Sequence, residues 1–234
     1  MQFTERLPIQ KIEYLNQMPM DEFSSYVPDM TKQDLAKLYK TLKTVCRQHI
    51  KAKGEVTRLY AIAERTPLEC GGRIFCGNSI QGMTKVFRGF LCQGISTDID
   101  MANCHPTILS YICKQNSISF IQLNTYIERR EEILNEFPNR NEGKKEFLKS
   151  LNDDKLSRLK NKTPFFEAFD KEMKHLQKKI IALPQFKEIV EMPSVKKYNL
   201  TGSKINRIMC YYEDQILRKA ITHLQTNCGL EVIA

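Results

Sequence analysis

Apolar positions along this chain fall into helical stripes separated by short stretches with strand character. Leu35, Leu38, Leu42 and Val45, with Tyr39 and Cys46, recur at three- and four-residue spacing to about Ile50, and Thr31 with Asp34 three positions on suits the start of that helix. Its other face carries Lys32, Lys37, Lys40, Lys43 and Arg47, which fits a solvated surface or a phosphate contact. Gly54 ends the stripe, and residues 55–63 have the β-branched and aromatic content of a strand. Helical spacing returns at Ile108, Leu109, Ile112 and Cys113, and again at Phe165, Phe166, Phe169, Met173, Leu176 and Ile180, where Thr163 and Pro164 open the segment. Residues 124–135 read as a charged, exposed helix. A last stripe runs through Ile205, Ile208, Met209, Tyr212, Ile216, Leu217 and Ala220, with Asn206, Glu213 and Arg218 off it and Gly229 at its end. Residues 1–30, with Pro8, Pro19 and Pro28, read as a loosely ordered lead-in, and residues 230–234 as the beginning of a strand.

One stretch, residues 96–111, combines pattern with chemistry. Thr97, Asp98, Ile99, Asp100 and Met101 alternate polar and apolar, predicting a short strand with Asp98 and Asp100 on one face. Asn103, Cys104, His105 and Pro106 break the alternation, and Pro106 suits the first turn of the helix that follows. Paired carboxylates at a strand end suit magnesium, which takes one or two protein carboxylates and completes its octahedron with water and phosphate. The same acids also suit solvent-facing or capping positions, and His105 suits a structural role.

Composition narrows the classes. The 234 residues are 41% apolar and 27% charged, ordinary for a folded chain. The formal charge of +9 is concentrated between residues 140 and 218, where 18 Lys and Arg face 11 Asp and Glu. A polyanion is the natural partner of such a lobe, and a solvated helical surface is the plain alternative. The eight cysteines show no CxxC pair, and Cys70 and Cys76 have no matching pair downstream, so the spacing does not read as a structural zinc motif. No apolar run approaches the length of a membrane span and no signal sequence opens the chain, so a soluble intracellular protein with reduced thiols and no membrane partner is expected.

Two further segments carry candidate chemistry. Residues 71–91 hold five glycines with Arg73, Gln81, Lys85 and Arg88, a phosphate-contact pattern. Arg140, Lys144 and Leu148 fall four apart and share a helix face followed by Asn152, with Phe147 and Leu151 as the adjacent apolar edge. Arg and Lys one turn apart suit a triphosphate.

The order of these pieces resembles family A DNA polymerases over about residues 54–234. GRIFCGNSIQ resembles the TGRLSSxxPNLQ segment, with Arg73, Ser79 and Gln81 in matching places and Arg88 where that family has an arginine. DMANCHPTILS lies over DYSQIELRILA, with Asp100 on the metal-binding aspartate and His105 on the glutamate, and Arg140, Lys144 and Leu148 lie over the fingers pattern RxxxKxxxF. The DxDxxNxHP form is closer to a divergent branch found in virophages, large DNA viruses and transposons, often fused to a primase-helicase. The resemblance implies an α+β right-hand palm with helical fingers, the chain ending before the second catalytic palm strand. The implied domains are a thumb-like segment at 1–53, palm strands and the first motif at 54–115, a basic fingers lobe at 116–200, and a palm helix with the start of a strand at 201–234. It further implies template-directed DNA synthesis with two magnesium ions held at Asp98, Asp100 and the Met101 carbonyl. Arg140 and Lys144 would meet the triphosphate, while His105, Asn103 and Asn152 would lie by the nucleotide. Arg73, Gln81, Arg88 and Asn206 would touch the DNA primer–template, and a primase-helicase is the implied protein partner. An inactive primer–template binding module or an RNA-synthesising enzyme are the alternatives within that resemblance.

Overall fold

The start of the chain, expected to be loose, is ordered by pairing with a strand more than fifty residues away. A computed structural model describes residues 1–62, 74–193 and 197–232. These divide into two compact units, one built from residues 1–62, 74–100 and 220–232, the other from 101–193 and 197–219.

In the first unit, β1 (Gln2–Arg6) is followed by α1 (Ile9–Gln17), α2 (Met20–Ser25) and the long α3 (Lys32–Lys51), and β2 (Glu55–Leu59) returns antiparallel to β1 with Thr4 opposite Thr57. Thr31 caps α3 as its sequence suggests, accepting from the Asp34 N–H at 3.1 Å and donating to the Asp34 carboxylate at 2.7 Å. Gly54 turns the chain out of α3 at φ +93, and a Cβ there would lie 2.8 Å from the Leu7 carbonyl oxygen, so both the conformation and the contact require glycine. Two short strands, β3 (Ala61–Ile62) and β4 (Ile74–Phe75), pair antiparallel, and α4 (Lys85–Cys92) follows. Leu7, Ile12, Leu15, Leu42, Val45 and Leu91 form the core with Phe23 and Phe87, whose rings stack at 5.0 Å.

A buried polar group sits beside that core. Glu5 is fully buried and gathers the His49 ring, the Arg58 guanidinium, the Tyr60 hydroxyl at 3.1 Å and the Ile80 N–H at 3.0 Å. Burial alone would raise the pKa of the Glu5 carboxyl, but these donors outweigh it and hold the pKa below the ordinary carboxylate value.

The second unit is helical among its described residues. It runs through α5 (Cys104–Gln115), α6 (Gln122–Glu128), α7 (Arg130–Asn135), α8 (Arg140–Asn152), α9 (Pro164–Ile181) and α10 (Lys187–Glu191), and takes most of α11 (Leu200–Asn227). The expected exposed helix at 124–135 is instead two short helices meeting at Arg129, with Leu123, Tyr126, Ile133 and Leu134 buried. Phe147 of α8 anchors the core, stacked on Tyr126 at 4.4 Å and edge-on to Phe166 and Phe169 at 5.0 and 4.9 Å. Thr163 caps α9, accepting from the Phe166 N–H at 3.1 Å, with Pro164 in the first turn.

The strand expected at 97–101 is absent: residues 96–101 adopt no regular element, and Ile99 is 71% exposed. A five-residue alternation becomes a strand only when it pairs with a partner edge, and no described strand pairs with it. Residues 230–232 likewise form no strand.

Candidate functional site

The described residues gather two polar groupings in the second unit. The first lies along one face of α11, where Asn206, Cys210 and Glu213 stand four and three residues apart and so line up one above another. His105, in the first turn of α5, meets this line. Asn103 precedes α5 in the left-handed conformation, at φ +50, and its carbonyl accepts the Thr107 N–H at 2.9 Å as the first intrahelical bond. Pro106 is therefore the third helical residue, still within the turn whose N–H groups have no partner inside the helix. His105 Nε2 lies 3.4 Å from Glu213 Oε2, and the donor atoms of His105, Cys210 and Glu213 all lie within 4.8 Å of one another. Burial opposes charge on the His105 imidazole, but the Cys210 thiol and the Glu213 carboxylate outweigh it and raise its pKa to about 9.

The same face continues toward α8. Asn206 Nδ2 donates to Asn152 Oδ1 at 3.0 Å, and Cys210 Sγ lies 3.7 Å from Asn206 Oδ1. Asn152 also holds the Leu148 carbonyl at 2.8 Å, and its own carbonyl accepts from Asn199 at 2.7 Å. Gly202 makes this junction possible, because a Cβ there would fall 2.0 Å from the Asn152 carbonyl oxygen. Asn152 and Asn206, both expected near a bound ligand, are thus each other's partners.

The second grouping is built on Asp170 of α9, a carboxylate 1% exposed. It accepts from Ser150 Oγ at 2.6 Å and from the Ser157 N–H at 2.7 Å, and lies 3.3 Å from the Lys174 ammonium. Burial works against its charge, yet these donors hold its pKa below the ordinary aspartate value. The consequence is a pinned loop. Between α8 and α9, Ser157 and Leu159 turn inward while Lys155, Leu156, Arg158 and Lys160 are exposed, and Ser157 Oγ adds a bond to Glu146 at 3.0 Å.

The remaining expected site residues are placed as follows. Asp98 and Asp100 are exposed, Met101 and Asn103 half-buried, and with no strand at 97–101 the two carboxylates do not share a strand face. The group of His, Cys, Asp and Glu side chains found close enough to hold an ion among the described residues contains neither aspartate. Arg140 is exposed and engaged by Glu131 through three contacts of 2.7–2.9 Å, while Lys144, one turn along, is exposed. Gln81 spends its amide closing its own loop, donating to the Ile74 carbonyl at 3.1 Å and accepting from the Cys76 N–H at 3.2 Å. Arg88 is half-buried on α4, and Arg73 lies outside the described residues. Asp98, Asp100, Gln81 and Arg88 belong to the first unit, and Met101, Asn103, His105, Arg140, Lys144, Asn152 and Asn206 to the second. Cys210, Glu213 and Asp170 were not expected as site residues. Their signals were the shared face of Asn206, Cys210 and Glu213, and an acid inside the apolar stripe of α9.

No protein-family model matches the chain, and no solved structure does. Among curated proteins, the chain is 44% identical over 69 residues to the "Putative helicase V13" of Sputnik virophage. The match takes in 29% of this chain and 9% of the virophage protein, so the chain spans less than a tenth of that relative's length. The likeness to a viral protein agrees with the viral branch named from the motifs, but not with its polymerase family. Template-directed DNA synthesis, with its inactive and RNA-synthesising variants, is corrected accordingly: the relative is named for a helicase. The motif matches that suggested polymerisation were short and partial, and Gln81 and Asn152, two of their residues, are engaged in bonds within their own surroundings. Among the described residues no helix is long and apolar enough to cross a membrane.

Proposed function

We propose that this chain is a nucleic-acid-binding segment of a helicase-type viral replication protein, gripping the phosphate backbone without reading sequence. The observation that carries the reading is the loop pinned by Asp170. Lys155, Arg158 and Lys160 are exposed there, on a backbone held by the Ser157 N–H and hydroxyl. Cations held on an ordered backbone lose less conformational freedom on meeting phosphate than cations on a loose tail, and each neutralised phosphate releases condensed counterions. Exposed Lys144, Lys145 and Lys149 on α8, immediately before the loop, add to the same charge. The local excess of 18 Lys and Arg over 11 Asp and Glu between residues 140 and 218 gives the longer-range attraction. The virophage likeness supports the replication setting.

Fluorescence anisotropy with a labelled plain duplex, a plain single strand and a primer–template junction tests the proposal. Binding is expected in the range of about 10⁻⁴ to 10⁻⁶ M at physiological salt, as for other contacts that read only the backbone, with no preference for the junction. Absence of binding to all three at low salt would overturn it.

A further inference from the structure

We propose that His105, Cys210 and Glu213 form a binding site for a divalent transition metal, and that zinc is the ion their donors suit best. An imidazole nitrogen, a thiolate sulfur and a carboxylate oxygen are the three ligand types zinc takes in proteins, and three of them leave the fourth tetrahedral position for water. The donor set also selects against the magnesium expected at Asp98 and Asp100, since a hard ion prefers an all-oxygen shell.

The geometry agrees with this chemistry. Two ligand atoms each about 2.05 Å from a tetrahedral centre stand about 3.3 Å apart. His105 Nε2 and Glu213 Oε2 are separated by 3.4 Å, long for a hydrogen bond to a carboxylate and close to that ligand spacing. All three donors fall within 4.8 Å, so side-chain rotations of about 1 Å complete the set. Cys210 and Glu213 stand one helical turn apart on α11, and His105 comes from the first turn of α5, so two helices of one unit supply the ligands. The His105 and Glu213 side chains are 10% and 21% exposed, sheltered yet open to an entering ion. A thiolate and a carboxylate also balance the two positive charges of the ion.

Cobalt(II) titration of the full chain, cleared of metal by chelation, tests the site. One equivalent of cobalt is expected to give a thiolate-to-cobalt charge-transfer band in the near ultraviolet and tetrahedral bands in the visible, both removed by added zinc. Cys210→Ser should abolish the charge-transfer band, Cys92→Ser should keep it, and Glu213→Gln should weaken zinc binding at least about tenfold. In the unaltered chain, zinc should slow alkylation of Cys210 by iodoacetamide, read by peptide mass, and leave the exposed Cys228 unprotected. A missing cobalt band, a charge-transfer band that survives Cys210→Ser, or alkylation of Cys210 unaffected by zinc would each overturn the assignment.

Discussion

Replacing Asp170 by asparagine tests whether one buried carboxylate holds the basic loop in place. The amide keeps the size of the side chain and one acceptor oxygen, but turns an N–H₂ toward either the Ser157 N–H or the Ser150 hydroxyl and the Lys174 ammonium. At least one charge-assisted bond is lost, worth about 1.5–3 kcal/mol. Lys174 is not left bare, because it also donates to the carbonyls of Ser150 and Asp153 at 2.7 Å each. The asparagine variant should therefore cost about 2–3 kcal/mol, below the roughly 3–5 kcal/mol typical of stranding a buried charge. Asp170→Ala, which removes both acceptors and leaves a void, should reach that upper range. Urea unfolding followed by circular dichroism gives the stability, and limited trypsin digestion gives the local effect, since Lys155, Arg158 and Lys160 are cleavage sites within the loop. Cleavage there should accelerate in native buffer. A cost within the roughly 0.5 kcal/mol of an ordinary surface substitution, or loop cleavage at the original rate, would refute the reasoning.

Other expectations follow from the same contacts. Gly202→Ala places a Cβ 2.0 Å from the Asn152 carbonyl oxygen and 2.3 Å from Asn199 Oδ1, so urea unfolding should show a loss of about 3 kcal/mol, and a loss below about 0.5 kcal/mol would contradict the close approach. Phe147→Ala removes the ring against which Tyr126, Phe166 and Phe169 pack and should cost about 3–5 kcal/mol in the same assay. Glu5 and Asp170 have native pKa values below their unfolded ones, so the stability they contribute is complete above the ordinary carboxylate range and disappears as pH falls through their native values. Melting temperatures should thus fall steeply below about pH 4, and less steeply in Glu5→Gln, where one of the two titrating groups is gone.

Features set by neighbouring residues were readable in the sequence, and those set across the chain were not. The Thr31 and Thr163 caps depend on contacts three residues away, and the apolar stripes of α3, α5, α8, α9 and α11 follow from their own periodicity. The alternation at 97–101 failed because strand formation needs a partner that no local pattern supplies. Gln81 carried the look of a ligand contact, yet its amide closes a loop that begins seven residues earlier. His105 stood out as chemistry, but Glu213 reaches it from 108 residues away, beyond any spacing rule for metal ligands. For the same reason the cysteine spacing argued against zinc while the fold brings one cysteine to a histidine and a glutamate.

The salt dependence of DNA binding, compared between the unaltered chain and a Lys155→Ala, Arg158→Ala, Lys160→Ala triple variant, bears most directly on the proposed role. Each phosphate contact contributes about 0.9 to the slope of log Kobs against log salt on duplex DNA, so the variant should lose about two to three units of slope and bind more weakly at every salt concentration. Identical slopes and affinities for the two proteins would contradict the assignment of the loop as the phosphate-gripping surface.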